Sequence, residues 1–145
     1  MNQTTLDLIG LVIPKLSGKQ VMVRNQAPAT IGCAGEIHRS LDDQLVIDIS
    51  PNIKDDENLL YVVLHETAHA KHHVFVRSNE FDQKPGTIHQ TEMTRGDWMS
   101  EDTAHKQADE WLRWGKLHAN KRLLKIAPFE AVMVALLDYP VEGEK

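Results

Sequence analysis

Tyr61 to His73 reads YVVLHETAHAKHH, and four of the chain's eight histidines fall inside it. Within it His65-Glu66-Thr67-Ala68-His69 is an H-E-x-x-H pattern, behind the apolar residues Leu59, Leu60, Val62, Val63 and Leu64. On a helix, residues four apart share a face and stand about 6 Å apart along the axis. Two imidazoles so spaced can bind one zinc ion at about 2.0–2.1 Å each. Glu66 is turned by about 100° from His65. It is poorly placed to bind beside both histidines, but it reaches a water at the open position of the metal. There it acts as general base on a nucleophile whose pKa the metal lowers to about 7. The apolar run makes this a buried, rigid helix rather than a surface helix with two incidental histidines.

A catalytic zinc takes three protein ligands and keeps a fourth position open. His105 is the first candidate for the third ligand, with Glu101 one turn before it and His73 as alternatives. His73 would lie about 12 Å along the helix from His65, too far for one ion on an unbroken helix. No glycine stands between His69 and His73 to turn the chain back. His105 followed four residues later by Asp109 resembles the thermolysin-type (gluzincin) pattern, in which the acid orients a zinc-binding histidine from behind.

Outward from this segment, Thr4 or Thr5 opens a first helix to about Leu16, stopped by Ser17-Gly18. Gln20 to Arg24 reads as a strand. Gly35 to Arg39 pairs with Gln44 to Ser50, where Leu45, Ile47 and Ile49 share one face and Val46 and Asp48 the other. Asp55, Asp56 and Glu57 favour a helix start through its dipole, and that helix runs to about Val76. Residues 78–100 are polar and carry Pro85-Gly86 and Gly96, which predicts an irregular lid or flexible loop. Ser100 caps a helix from Glu101 to about Asn120, with Trp111 and Trp114 packing it on the H-E-x-x-H helix. Pro128 opens a last helix to Leu137, and 141–145 form a loose tail.

The 145 residues suit a single domain, 1–145, able to bury a core. A net charge of −5 disfavours an electrostatic grip on nucleic acid, and Lys116, Lys121, Arg122 and Lys125 read as a solvated helix end. Cys33 is the only cysteine, which excludes an intrachain disulfide and a multi-cysteine zinc knuckle. No targeting segment is visible and no apolar stretch approaches the roughly 20 residues of a membrane span. The expectation is a cytoplasmic protein without membrane contact.

Taken in order, Ala34-Gly35-Glu36-Ile37, Gln44-Leu45-Val46-Ile47-Asp48-Ile49, the H-E-x-x-H helix and Gln107-Ala108-Asp109-Glu110-Trp111 resemble the ImmA/IrrE family of small zinc metallopeptidases. That family follows H-E-x-x-H with a helix reading roughly E-x-E-A-[DN]-x-F-A. His105-Lys106-Gln107-Ala108-Asp109-Glu110-Trp111-Leu112 departs from it at both glutamates, and His105 stands where the family's glutamate ligand would be. The resemblance spans roughly Gly35 to Trp114. It implies a hydrolase common in prophages and mobile elements that often cuts or antagonises a repressor, and that often carries a DNA-binding helix-turn-helix, for which this chain has no obvious room.

The expectation is therefore an α+β, zincin-like domain, a minimal gluzincin, with a small, mostly antiparallel sheet packed on helices. Its function would be zinc-dependent hydrolysis of peptide bonds in a protein or peptide substrate held along a strand edge. His65, His69 and His105 would bind Zn2+, Glu66 would be the catalytic base and Asp109 would support the site. Any single histidine near the metal, Tyr61 or Tyr139 could steady the oxyanion. The alternative is a non-catalytic zinc-containing protein-binding module with a zincin shell.

Overall fold

The computed structural model describes residues 1–29, 32–40, 44–72 and 88–141, with the side chains of 39 and 88–100 left aside. The elements are α1 (Gln3–Ser17), β1 (Val21–Arg24), β2 (Gly35–Arg39), β3 (Leu45–Ile49), α2 (Asp56–His72), α3 (Ile88–His118), α4 (Lys121–Ile126) and α5 (Pro128–Leu136). The architecture is α+β: a three-stranded mixed sheet of order β1-β3-β2 with helices packed around it.

Helix ends follow local chemistry. The Asn2 side chain accepts from the Thr5 amide at 2.8 Å and starts α1 two residues earlier than expected. Gly18 ends it in the left-handed region, φ 72°, which glycine enters without steric cost. The Asp55 carboxylate accepts from the Asn58 amide at 2.8 Å and caps α2. Asp56 does not act on its own helix alone, because it accepts from the Phe129 amide at 3.0 Å and ties α2 to the first turn of α5. Lys19 donates to the Ala70 carbonyl and places a cation in the last turn of α2, where the helix dipole favours it.

The expected hairpin is present, with β2 antiparallel to β3 in the register Ile37↔Ile47. The sheet is not mostly antiparallel, however: β1 joins the other side of β3 in parallel, Val23↔Ile47. This makes β3 the central strand, and all five of its residues are buried. Leu45, Ile47 and Ile49 enter the core with Val12, Ile13, Leu64 and Val132. On the other face Asp48 is buried and paired. Arg24 Nε donates to Asp48 Oδ1 at 2.7 Å and Nη2 to Oδ2 at 3.0 Å, while His38 Nε2 lies 3.1 Å from Oδ2. One carboxylate thus cross-links all three strands. Neighbouring strands pair Arg24 with Asp48 directly, so the opposite charges favour this register.

Two expectations about the second half are corrected. Helix α3 begins at Ile88, so 88–100 of the expected lid are helical and Ser100 lies inside the helix rather than at its cap. A single interior glycine such as Gly96 costs about 1 kcal/mol and does not break so long a helix. Residues 78–87 and His73 lie outside the described residues. The basic run does sit at a helix end: Lys121 Nζ donates to the Lys116 and Leu117 carbonyls in the last turn of α3, and Lys121, Arg122 and Lys125 are exposed. Lys121–Ile126 is a separate short helix, capped by Asn120, whose side chain accepts from Leu123 at 3.0 Å. No helix among the described residues is long and apolar enough to cross a membrane.

Asp48→Asn keeps the shape and removes the charge that Arg24 and His38 share. It should lower stability by roughly 1–3 kcal/mol in urea unfolding at neutral pH. Unchanged stability would show that the cross-link contributes nothing.

Candidate metal centre

Helix α3 reaches the centre by lying against α2 and α5 along a stripe of buried residues, Ala104, Gln107, Ala108, Trp111 and Gly115, of which Gly115 faces Val132 and Leu136 of α5. The alanines let the backbones approach, and fully buried Trp111 fills the space beyond them. At about 100° per residue, Glu101 falls roughly 60° from the middle of that stripe, His105 roughly 100° and Asp109 roughly 140°. The rotation sorts the three candidates. Glu101 is half-buried at the contact, while His105 and Asp109 are exposed.

His65 and His69 sit one turn apart on α2, as their spacing requires. Their Nε2 atoms are 3.1 Å apart. Glu101 Oε1 is 2.8 Å from His69 Nε2, and Oε2 is 3.3 Å from His65 Nε2. Ligands at about 2.0–2.1 Å from a tetrahedral ion stand about 3.3–3.4 Å from one another. The separations of 3.1 and 3.3 Å lie close to those tetrahedral edges, and the 2.8 Å contact, made by the other Glu101 oxygen, is about 0.5 Å shorter. Among the described residues His65, His69 and Glu101 form a group that can hold a metal ion. His105 is outside it. Its Nε2 is 3.8 Å from Glu101 Oε2, and its Nδ1 is hydrogen-bonded to the Tyr61 hydroxyl. His72 is also turned elsewhere, with Nε2 2.9 Å from Gln107 Oε1.

Glu66 points from the same helix toward β2 and is almost fully buried. Burial pushes its carboxyl up to about 8, reinforced by the charges of Glu101 and Glu36 and opposed by a hydrogen bond from the Ile37 amide. That close fit depends on Gly35. A Cβ there would come within 2.5 Å of Val62 Cγ1 and 3.2 Å of Glu66 Cγ. Gly35 and Glu36 are site residues that the motif reading passed over, since neither is a ligand type at ligand spacing. The pKa of the exposed Cys33 thiol, two residues before β2, is raised by partial burial and then by Glu36, Glu66 and Glu101.

Asp109 is likewise outside the group, although its charge contributes to a raised Tyr61 pKa, behind burial of the phenol itself. Tyr139 donates to Glu110 at 3.2 Å and packs on Trp114. Glu110 is about 13 Å along α3 from Glu101, so Tyr139 does not serve this centre. His38 belongs to the Asp48 cross-link and His118 stacks on Trp114, rings 4.0 Å apart. The side chains of His89 and Trp98 lie outside those described.

Comparison with known proteins adds no further constraint: no family profile, curated protein or solved structure matches the chain.

Glu101→Ala should cost the protein far more zinc affinity than His105→Ala, measured against a chromophoric chelator. A larger loss from His105→Ala would reverse the assignment. A second outcome concerns the metal-free protein. A carboxyl raised toward 8 in the folded chain and near 4.5 when unfolded binds more protons folded than unfolded between those values. Stability should therefore fall as pH rises from about 4.5 to about 8, by up to a few kcal/mol. Glu66→Gln should flatten that slope, and an unaltered slope in urea unfolding would contradict it.

Proposed function

We propose that the chain is a zinc-dependent peptidase of zincin-like build, as its likeness to the ImmA/IrrE family implies. The observation that carries this reading is the convergence of His65, His69 and Glu101 beside buried Glu66. Two imidazoles and one carboxylate are a common catalytic zinc set that leaves a fourth position open. A glutamate as third ligand also agrees with the family's usual ligand type, one turn earlier on the helix than the likeness alone suggests.

Bound there, zinc would polarise the scissile carbonyl and make a water acidic enough to attack at neutral pH. Glu66 takes the proton of that water and later delivers it to the departing amine. Its high pKa without a cation comes first from burial and then from the charges of Glu101 and Glu36, and a nearby positive charge favours its ionised form. Among the described residues β2 is an edge strand, and it adjoins the centre. In its pairing with β3, Ala34 accepts from Ser50 and Ser40 donates to Gln44, both at 2.8 Å. Antiparallel alternation therefore turns the backbone groups of Gly35, Ile37 and Arg39 outward. Ile37 donates to Glu66 from that edge. An extended substrate would add as a strand there, beside the attacking group. Such a site takes a protein or peptide and needs neither nucleic acid nor membrane.

The rival is a non-catalytic zinc-containing protein-binding module. Glu66 favours the catalytic reading, because a structural zinc has no use for a buried carboxylate beside its ligands that is not itself a ligand.

The zinc-loaded protein should hold about one ion per chain and cut members of a proteome-derived peptide library. Glu66→Gln should keep the zinc and lose at least about 100-fold in rate. Equal cutting by the Gln variant, or no cutting by the zinc-loaded wild type, would overturn the peptidase reading.

A further inference from the structure

The metal group uses Glu101 and leaves His105, one turn on, with no task. The His105 side chain is 53% exposed, and its ring centroid lies 4.8 Å from that of His65. Tyr61, one turn before His65, stacks on both rings, at 5.6 Å from His65 and 5.8 Å from His105. Its hydroxyl is bonded to His105 Nδ1. A phenol is neutral near pH 7 and has one proton to give. Either the ring or the hydroxyl can donate in this contact, and with Tyr61 as the donor the imidazole carries its own proton on Nε2. Nε2 is the atom directed at the centre, 3.8 Å from Glu101 Oε2. This arrangement presents a fixed N–H beside the ligands from the α3 side. Glu66 lies on the other side, against Ile37 of β2.

We propose that His105 is a catalytic residue whose Nε2–H binds the oxygen of the scissile carbonyl as it becomes negative, and that Tyr61 is its positioning residue. This rests on the peptidase reading. In the addition step the water oxygen bonds to the carbonyl carbon and its proton passes to Glu66. The carbonyl π pair moves onto oxygen, and His105 donates to that oxygen. In the collapse the C=O re-forms, the C–N bond breaks with its pair on nitrogen, and nitrogen takes the proton from Glu66. A donor aimed at an oxygen that gains charge contributes more in the transition state than in the substrate complex, which is what raises a rate. A fourth-ligand role for His105 would instead close the metal and forbid this chemistry.

The test uses the cobalt-substituted full chain, whose visible spectrum reports the metal, and N-phosphoryl-leucinamide as a tetrahedral anionic probe of the addition step. Wild type, His105→Ala and Tyr61→Phe should each hold about one cobalt with the same spectrum. His105→Ala should bind the phosphoramidate about 10- to 100-fold more weakly, as expected for losing a hydrogen bond to a charged group. Tyr61→Phe keeps the stacking and should show a smaller loss in the same direction. His105→Gln, which restores an N–H donor, should recover part of the affinity. Leucinamide, which lacks the anion, should bind all four proteins alike. Unchanged phosphoramidate affinity in His105→Ala, or loss of its cobalt, would overturn the proposal. The two readings fail separately. A metal-loaded wild type that cuts no peptide ends the peptidase reading, whereas a cutting wild type with an indifferent His105→Ala ends the donor assignment alone.

Discussion

Two imidazole nitrogens 3.1 Å apart, with a carboxylate oxygen within 3.3 Å of each, set a condition that the rest of the fold serves. Groups this close need either ring protons or a shared cation between their lone pairs. The local spacing of α2 supplies only two of the three. The third comes from a helix more than thirty positions away in sequence and depends on how closely α3 lies against α2. Ala104 and Ala108 permit that approach, and Trp111 fixes its rotation. A larger residue at either alanine would move Glu101 away from the histidines before it changed anything else.

The sheet answers a second demand, that of Glu66. The proposed base is buried beside a strand edge, and its burial is tolerable only with partners. Gly35 gives α2 room to lie on β2, and the Ile37 amide supplies a hydrogen bond. The sheet can be this small because its central strand is covered on both faces. The core covers one, and Arg24 and His38 close over Asp48 on the other. Among the described residues the edge that supports Glu66 carries no further strand, so in the proposed reading support of the base and seating of a substrate would draw on one stretch of backbone.

Much of this was readable from residues alone, because the signals are local. H-E-x-x-H gave two members of the metal group, apolar alternation gave β3 and its pairing with β2, and Pro128 gave the start of α5. What was not readable is tertiary. A parallel partner for β3 leaves no turn signature, so β1 was not placed beside it. Asn120 is a good cap, but the basic residues after it read equally well as the frayed end of α3. The choice between Glu101 and His105 turned on helix rotation. Asp109 at four residues' spacing pointed to His105, whereas the small residues Ala104 and Ala108 with Trp111 defined a stripe that lies nearer to Glu101. Gly96 read as a break, yet one glycine is a small penalty inside a helix of 31 residues.

The central claim is a metal bound by His65, His69 and Glu101 with one position left open. X-ray absorption at the zinc edge of the loaded protein tests it most directly. Two imidazoles and a carboxylate should appear at about 2.0–2.2 Å, with a single further light atom that exchanges for added azide. A closed shell with three imidazoles and no exchangeable position would contradict the account, since it would put His105 on the ion and leave Glu66 with nothing to activate.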